Sequence, residues 1–154
     1  INPVISGGGL FHDLAPHQLD LMLYYFGKVK KASGISGNQA GLYQADDIVC
    51  GDLLFENGVI FQGLWCFTVP EEETKDQCTI IGSEGKITFP IFGSKIKLHV
   101  NGQEEVFQFD NPKHIEQPMI EQVVNYFLGT GPNPCSAEEA AVVMQIMDRF
   151  TGKF

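Results

Sequence analysis

Apolar positions along this chain change period twice, and each change marks a class of element. From Leu19 to Phe26 the apolar residues run almost without a break: Leu19, Leu21, Met22, Leu23, Tyr24, Tyr25 and Phe26 follow one another with only Asp20 between them. A stretch that is apolar nearly all round reads as a helix buried against a sheet or a partner domain. Gly27 suits the C′ position, and Lys28 follows where a cation complements the helix dipole.

The pattern then shifts to short runs rich in Val, Ile, Leu and Phe. Residues 28–37 read as an irregular edge strand whose lysines discourage edge pairing. Ile48 to Glu56 and Val59 to Phe67 are strands joined by Asn57-Gly58, a hairpin signal. An acidic loop, Glu71-Glu72-Glu73, is a solvated connection. Lys75 to Ile81, Lys86 to Phe89, and a second hairpin of Ser94–Val100 and Gln103–Phe109 around Asn101-Gly102 complete the strands. Leu53, Phe55, Ile60, Phe61, Leu64 and Trp65 put apolar groups on both faces of the sheet, so a second covering layer is expected.

After Pro112 the period returns to that of a helix. His114 to Leu128 carries a stripe of Ile120, Val123, Val124 and Phe127, with Pro118 in its first turn. Ser136-Ala137-Glu138-Glu139 is a capping-box start for a last helix over 137–150, with Ala141, Val142, Met144, Ile146 and Met147 as its stripe. A helix, a run of strands with short turns and two further helices predict an α+β domain: a mostly antiparallel sheet of about six strands with helices on one face.

Composition narrows the class. The chain has 154 residues, enough for one sizeable core, with 44% hydrophobic and 19% charged residues, ordinary for a globular protein. No apolar run approaches the ~20 residues of a membrane span, and no signal peptide is recognisable. The first residue is Ile1 rather than Met, as expected of an excised fragment or processed product. A net charge of −9 excludes nucleic acid and anionic membranes as natural partners. Cys50, Cys66, Cys78 and Cys135 form no C-x-x-C. The first three fall in strand runs as expected buried thiols, and a reducing cytoplasm is the simplest compartment.

Candidate chemistry concentrates at the first helix. Gly7-Gly8-Gly9 leads into a run carrying Asp13, His17 and Asp20. Positions i and i+4 share a helix face, so Asp13 and His17 project the same way. An imidazole titrates near pH 6.5 and a neighbouring carboxylate raises that value, which suits proton transfer near neutrality. Pro16 limits where the helix starts: either near Asp13, which is then its N-cap, or at Leu10 with a kink at Pro16. In the plainer reading Asp13 only caps the helix and His17 only packs. A metal site built from His12, Asp13 and His17 lacks an evident third ligand on the same face, so no metal is expected.

The spacing G-G-G, three residues, Asp, three residues, His, two residues, Asp, then an apolar helix ending in Gly27 resembles the substrate domain of the Gfo/Idh/MocA oxidoreductases. Ala15 departs from the pattern, since many members carry Gly there. The resemblance implies a fold like the C-terminal domain of dihydrodipicolinate reductase, with residues 1–154 as a single substrate-binding and oligomerisation domain. It implies an NAD(P)-dependent dehydrogenase acting on a secondary alcohol of a sugar, cyclitol or related polyol. His17 would be the acid/base with Asp13 as its partner, and Gly9, His12 and His114 substrate-side residues. NAD or NADP would sit on an N-terminal Rossmann domain that this sequence does not contain: it has neither G-x-G-x-x-G nor the family's Glu-Lys-Pro. The chain alone is therefore expected to hold no cofactor and to be inactive. Homo-oligomers through the open sheet face are implied as well. The alternative is a non-catalytic sugar-binding or dimerisation module.

Overall fold

The computed structural model describes Asn2, Ile5 and residues 8–152; Gly7, the first glycine of the G-G-G run, lies outside the described residues. The chain divides into two compact units, Ile1–Glu73 with Ser136–Phe154, and Thr74–Cys135. The architecture is α+β, with every strand pairing antiparallel.

In the first unit, α1 (Leu10–Phe26) leads into β1 (Val29–Gly37), β2 (Ile48–Phe55) and β3 (Ile60–Cys66), and α3 (Ala137–Thr151) completes the layer. The strands lie in the order β1-β2-β3. The Asn57-Gly58 turn joins β2 to β3 as the sequence predicts, with Gly58 at φ 89°. Asn57 also donates its side-chain amide to the carbonyl of Phe26 at 3.0 Å, giving a partner to an acceptor left over at the end of α1. At that same end the Gly27 N–H reaches the carbonyl of Leu23 at 2.8 Å.

One row of the sheet explains how α3 docks. Gly34, Gly51 and Gly63 lie directly opposite one another across the three strands. A Cβ on Gly51 would fall 2.2 Å from the ring of Phe150, one on Gly34 2.6 Å from its Cα, and one on Gly63 2.2 Å from the ring of Trp65. The missing side chains form a notch, and Phe150, fully buried, fills it. Around it close Phe11, Ala15, Leu19 and Met22 from α1, Val49, Leu53 and Phe55 from β2, Trp65 from β3, and Val143, Ile146 and Met147 from α3. Val143, Ile146, Met147 and Phe150 follow the i, i+3, i+4, i+7 spacing of one helical face. Val142 and Met144, expected in that stripe, instead stand outward, 40% and 46% exposed, because the face turned to Phe150's notch is the neighbouring one. Ser136 caps α3 as predicted: its hydroxyl accepts the Glu139 N–H at 3.2 Å while Glu139 accepts the Ser136 N–H at 2.7 Å. That backbone bond holds the Glu139 carboxyl below the usual carboxylate range.

The opposite face of this sheet is open within the unit. Ile35, Ile60 and Leu64 are 78%, 72% and 68% exposed. Cys50, expected to be buried, stands exposed on this face, and Cys66 and Cys78 are only half-buried. Strand alternation is the reason: Val49, Gly51 and Leu53 turn to the helices, so Cys50 turns away.

The second unit holds β4 (Cys78–Ile81), β5 (Gly85–Phe89), β6 (Lys95–Val100) and β7 (Gln103–Gln108) in a four-stranded sheet, followed by α2 (Gln117–Phe127). The Asn101-Gly102 hairpin has both residues at positive φ, 53° and 77°. Pro118 sits in the first turn of α2, where its missing N–H costs nothing. No residue of α2 is buried, and Phe127 of the expected stripe is 80% exposed. His99 pairs with Glu104 at 2.8 Å across the β6–β7 hairpin. The seven strands are thus divided between two sheets.

Candidate functional site at the start of the first helix

Helix α1 starts at Leu10, with Gly9 as an extended N-cap that has no side-chain bond. Asp13 is therefore not the cap; it stands in the first turn, where a carboxylate complements the helix dipole. Pro16 lies inside the helix, and the segment from Leu10 to Phe26 is one element. The first turn survives ahead of the proline because its N–H groups need no partner further back; the His12 N–H finds the Gly9 carbonyl at 3.0 Å.

Sidedness follows from the period. Phe11, Ala15, Leu19 and Met22 are buried, whereas Asp13, His17 and Asp20 are all exposed on the other side. The helix is therefore not buried all round, and Tyr24 is 82% exposed. Asp20 shares the outward face with the pair. Asp13 and His17 are one turn apart, so their Cβ atoms are roughly 5–6 Å from each other by helix geometry.

Close packing and one side-chain hydrogen bond hold this face in place. Phe11 meets Trp65 edge to face with centroids 5.2 Å apart. The Trp65 indole N–H donates to the Gln18 side-chain oxygen, next to His17. Gly9 lies so close to Ala45 that a Cβ there would fall 2.5 Å from Ala45 Cβ. A Cβ on Gly8 would fall 2.5 Å from the half-buried His12 ring, which also packs edge to face on Phe11 at 5.5 Å. These two glycines thus serve close packing.

Ala45 belongs to the loop between β1 and β2, and that loop is organised by Asp47, a residue the sequence pattern marks only as preceding a strand. Asp47 is fully buried. Its carboxylate accepts the N–H of Gln39 at 2.8 Å and of Ala40 at 2.7 Å. The Gln39 N–H in particular keeps the carboxyl below its ordinary range, against the opposing effect of burial. Asn38 braces the loop internally, accepting the Gly41 N–H at 2.9 Å and donating to the Tyr43 carbonyl. Ser36 donates to Asp46 at 2.9 Å.

The Tyr43 hydroxyl is buried with no hydrogen-bond partner among the described residues. Desolvation, then the negative charge of Asp47 and of Cys66, pushes its pKa up. An unsatisfied buried hydroxyl is a cost that an apolar replacement of the same shape removes. Tyr43→Phe is therefore expected to leave the melting temperature unchanged or raise it, with a gain of up to about 1 kcal/mol, measured by thermal denaturation. A clear loss of stability would mean that the hydroxyl is bonded in solution.

His114 stands exposed ahead of α2 in the second unit. Among the described residues no group of three or more His, Cys, Asp or Glu side chains could hold a metal ion. No described helix is long and apolar enough to cross a membrane.

Residues 1–88 match the GFO/IDH/MocA C-terminal domain family. Oxidoreductase P35 of Formosa agariphila is 49% identical over 150 residues, which is 97% of this chain and 46% of that protein. Among solved structures, aldose-aldose oxidoreductase from Caulobacter crescentus, complexed with glycerol, superposes with a TM-score of 0.76 at 16% identity, covering 96% of this chain and 47% of the other. Biliverdin reductase from Synechocystis, in complex with biliverdin and NADP+, superposes with a TM-score of 0.72 at 16% identity, covering 90% and 46%. The chain spans about half the length of the relatives it matches. The structural likenesses establish the fold. With the family match running through more than half the sequence and a relative at 49% identity, the chain belongs to the GFO/IDH/MocA C-terminal domain family of oxidoreductases.

Proposed function

We propose that this chain is the substrate-binding and oligomerisation domain of an NAD(P)-dependent dehydrogenase that oxidises a secondary alcohol of a sugar, cyclitol or related polyol. The observation that carries this reading is the exposure of both Asp13 and His17, one turn apart on α1, behind an N-cap without a side chain. A nicotinamide, when bound, supplies the hydride acceptor. The residues described here do not fit the dinucleotide itself: the space above Gly9 is taken by Ala45 and that beside Gly8 by His12, so neither glycine opens a cradle for a pyrophosphate. The cofactor accordingly belongs to a Rossmann domain elsewhere in the full-length protein.

What this chain contributes is the proton half of the reaction. As the carbinol C–H bond breaks, the hydroxyl O–H must also break if a neutral carbonyl is to form. The neutral imidazole of His17 accepts that proton, and in the reverse direction returns it to the carbonyl oxygen. Asp13 orients the hydroxyl or the imidazolium by a hydrogen bond. His12, on the same first turn, contributes a further polar contact. The exposed apolar face of β1–β3 is where copies associate, and the thiols of Cys50, Cys66 and Cys78 fit a reducing cytoplasm.

The test is dinucleotide reduction by the full-length protein, followed at the absorbance of the reduced nicotinamide with a panel of polyols and aldoses. Turnover with at least one of them, and none from residues 1–154 alone, is the expected result. A full-length protein that neither binds nor reduces NAD+ or NADP+ would leave a non-catalytic sugar-binding module as the better reading.

A further inference from the structure

We propose that Asp47 is a positioning residue for the α1 site, and that the loop it braces, residues 38–46, is the wall that fixes how a hydroxylated ligand sits beside Asp13 and His17. The proposal rests on the dehydrogenase reading above.

A buried carboxylate is costly unless its oxygens are hydrogen-bonded, so a chain retains one where it organises something. Asp47 organises three segments at once. Its N–H donates to the Gly37 carbonyl at the end of β1, and its carbonyl accepts the Phe67 N–H just after β3, both at 2.9 Å. Its two carboxylate oxygens take the N–H groups of Gln39 and Ala40. The loop is thereby fixed to the sheet at its start and at its end.

The loop is also fixed to the helix. Ala45, only 5% exposed, is the residue against which Gly9 packs. Gly9 is the N-cap of α1, and Asp13 stands in the turn that follows. A shift of the loop therefore moves the cap, and with it the carboxylate that orients the substrate. The outer side of the loop is exposed at Gln39, Leu42 and Gln44, with Leu42 at 76%. A carboxamide both donates and accepts, as a hydroxyl does, so two carboxamides flanking an apolar residue match the edge and face of a polyol ring.

Asp47→Asn is the informative change, because asparagine keeps the size but presents an NH2 donor to one of the two backbone donors. In the full-length protein, amide hydrogen exchange at Gln39, Ala40 and His12 is expected to accelerate. With D-glucose and myo-inositol as probes, KM or the dissociation constant from amide-shift titration is expected to rise about tenfold, while kcat stays within threefold of the parent. In the unsubstituted protein the Gln39 and Gln44 signals should shift on titration. Faster exchange with unchanged KM and dissociation constant overturns the proposal, as does an absence of ligand-induced shifts at Gln39 and Gln44. An equal fall in kcat and kcat/KM that tracks a lower melting temperature overturns it too, since that is merely structural damage. Failure of the dehydrogenase reading is recognised separately, by the absence of NAD+ or NADP+ reduction in the unsubstituted full-length protein; the exchange and titration results do not depend on it.

Discussion

Replacing His17 with alanine in the full-length protein is expected to lower kcat by roughly 10²–10⁴-fold, the usual contribution of a positioned general acid/base, with little change in KM. The size of the effect follows from the chemistry: without the imidazole the hydroxyl proton must leave to water while the hydride departs. The change is clean because His17 is exposed on α1, opposite the buried row of Phe11, Ala15, Leu19 and Met22. Exposed substitutions away from caps and cores stay within about 0.5 kcal/mol, so the melting temperature should hold. Steady-state kinetics beside a thermal melt separates the two effects. Undiminished turnover would reduce His17 to a surface residue of the helix and leave the proton transfer to another group.

The largest effect on stability is expected at the glycine row. Gly51→Ala places a Cβ 2.2 Å from the ring of Phe150, closer than any real Cβ contact. The ring cannot retreat easily, since the Phe150 backbone itself lies against Gly34. Overpacking of this kind costs about 1–3 kcal/mol. Phe150→Ala removes the occupant and leaves a cavity, at about 3–5 kcal/mol. Combining the two should cost less than the sum, because without the ring the new methyl group has space. Residues in direct contact commonly couple by about 0.5–3 kcal/mol. Denaturant unfolding of both single variants and the double variant measures the coupling. Strict additivity would show that the notch is not where the two residues meet.

How much of this was legible in the sequence differs from element to element. Asn57-Gly58 and Asn101-Gly102 could be read because their turns need positive φ, a demand met by neighbouring residues alone. The capping box at Ser136 is local in the same way. The D-x-x-x-H spacing on α1 also placed Asp13 and His17 on one face before any tertiary contact was known. The sidedness of α1 was hidden because Tyr24 and Tyr25 count as apolar yet stand in solvent. The notch was hidden because each of Gly34, Gly51 and Gly63 looks like an isolated strand glycine. Such a glycine signals a close backbone approach, but only the register between strands shows that three of them coincide. Asp47 was missed for a related reason: its partners, Gln39 and Ala40, are irregular loop residues with no period of their own.

The route of the chain into the glycine notch bears on how the protein is made. β3 ends at Cys66, and Phe150, which fills the notch, lies on α3, which begins only at Ala137. During synthesis the three strands therefore leave the ribosome with their helix-facing groove unfilled. At about 5–20 residues per second they wait several seconds for α3, while the whole second unit is translated. Of the two units, the first thus closes last although its strands are made first.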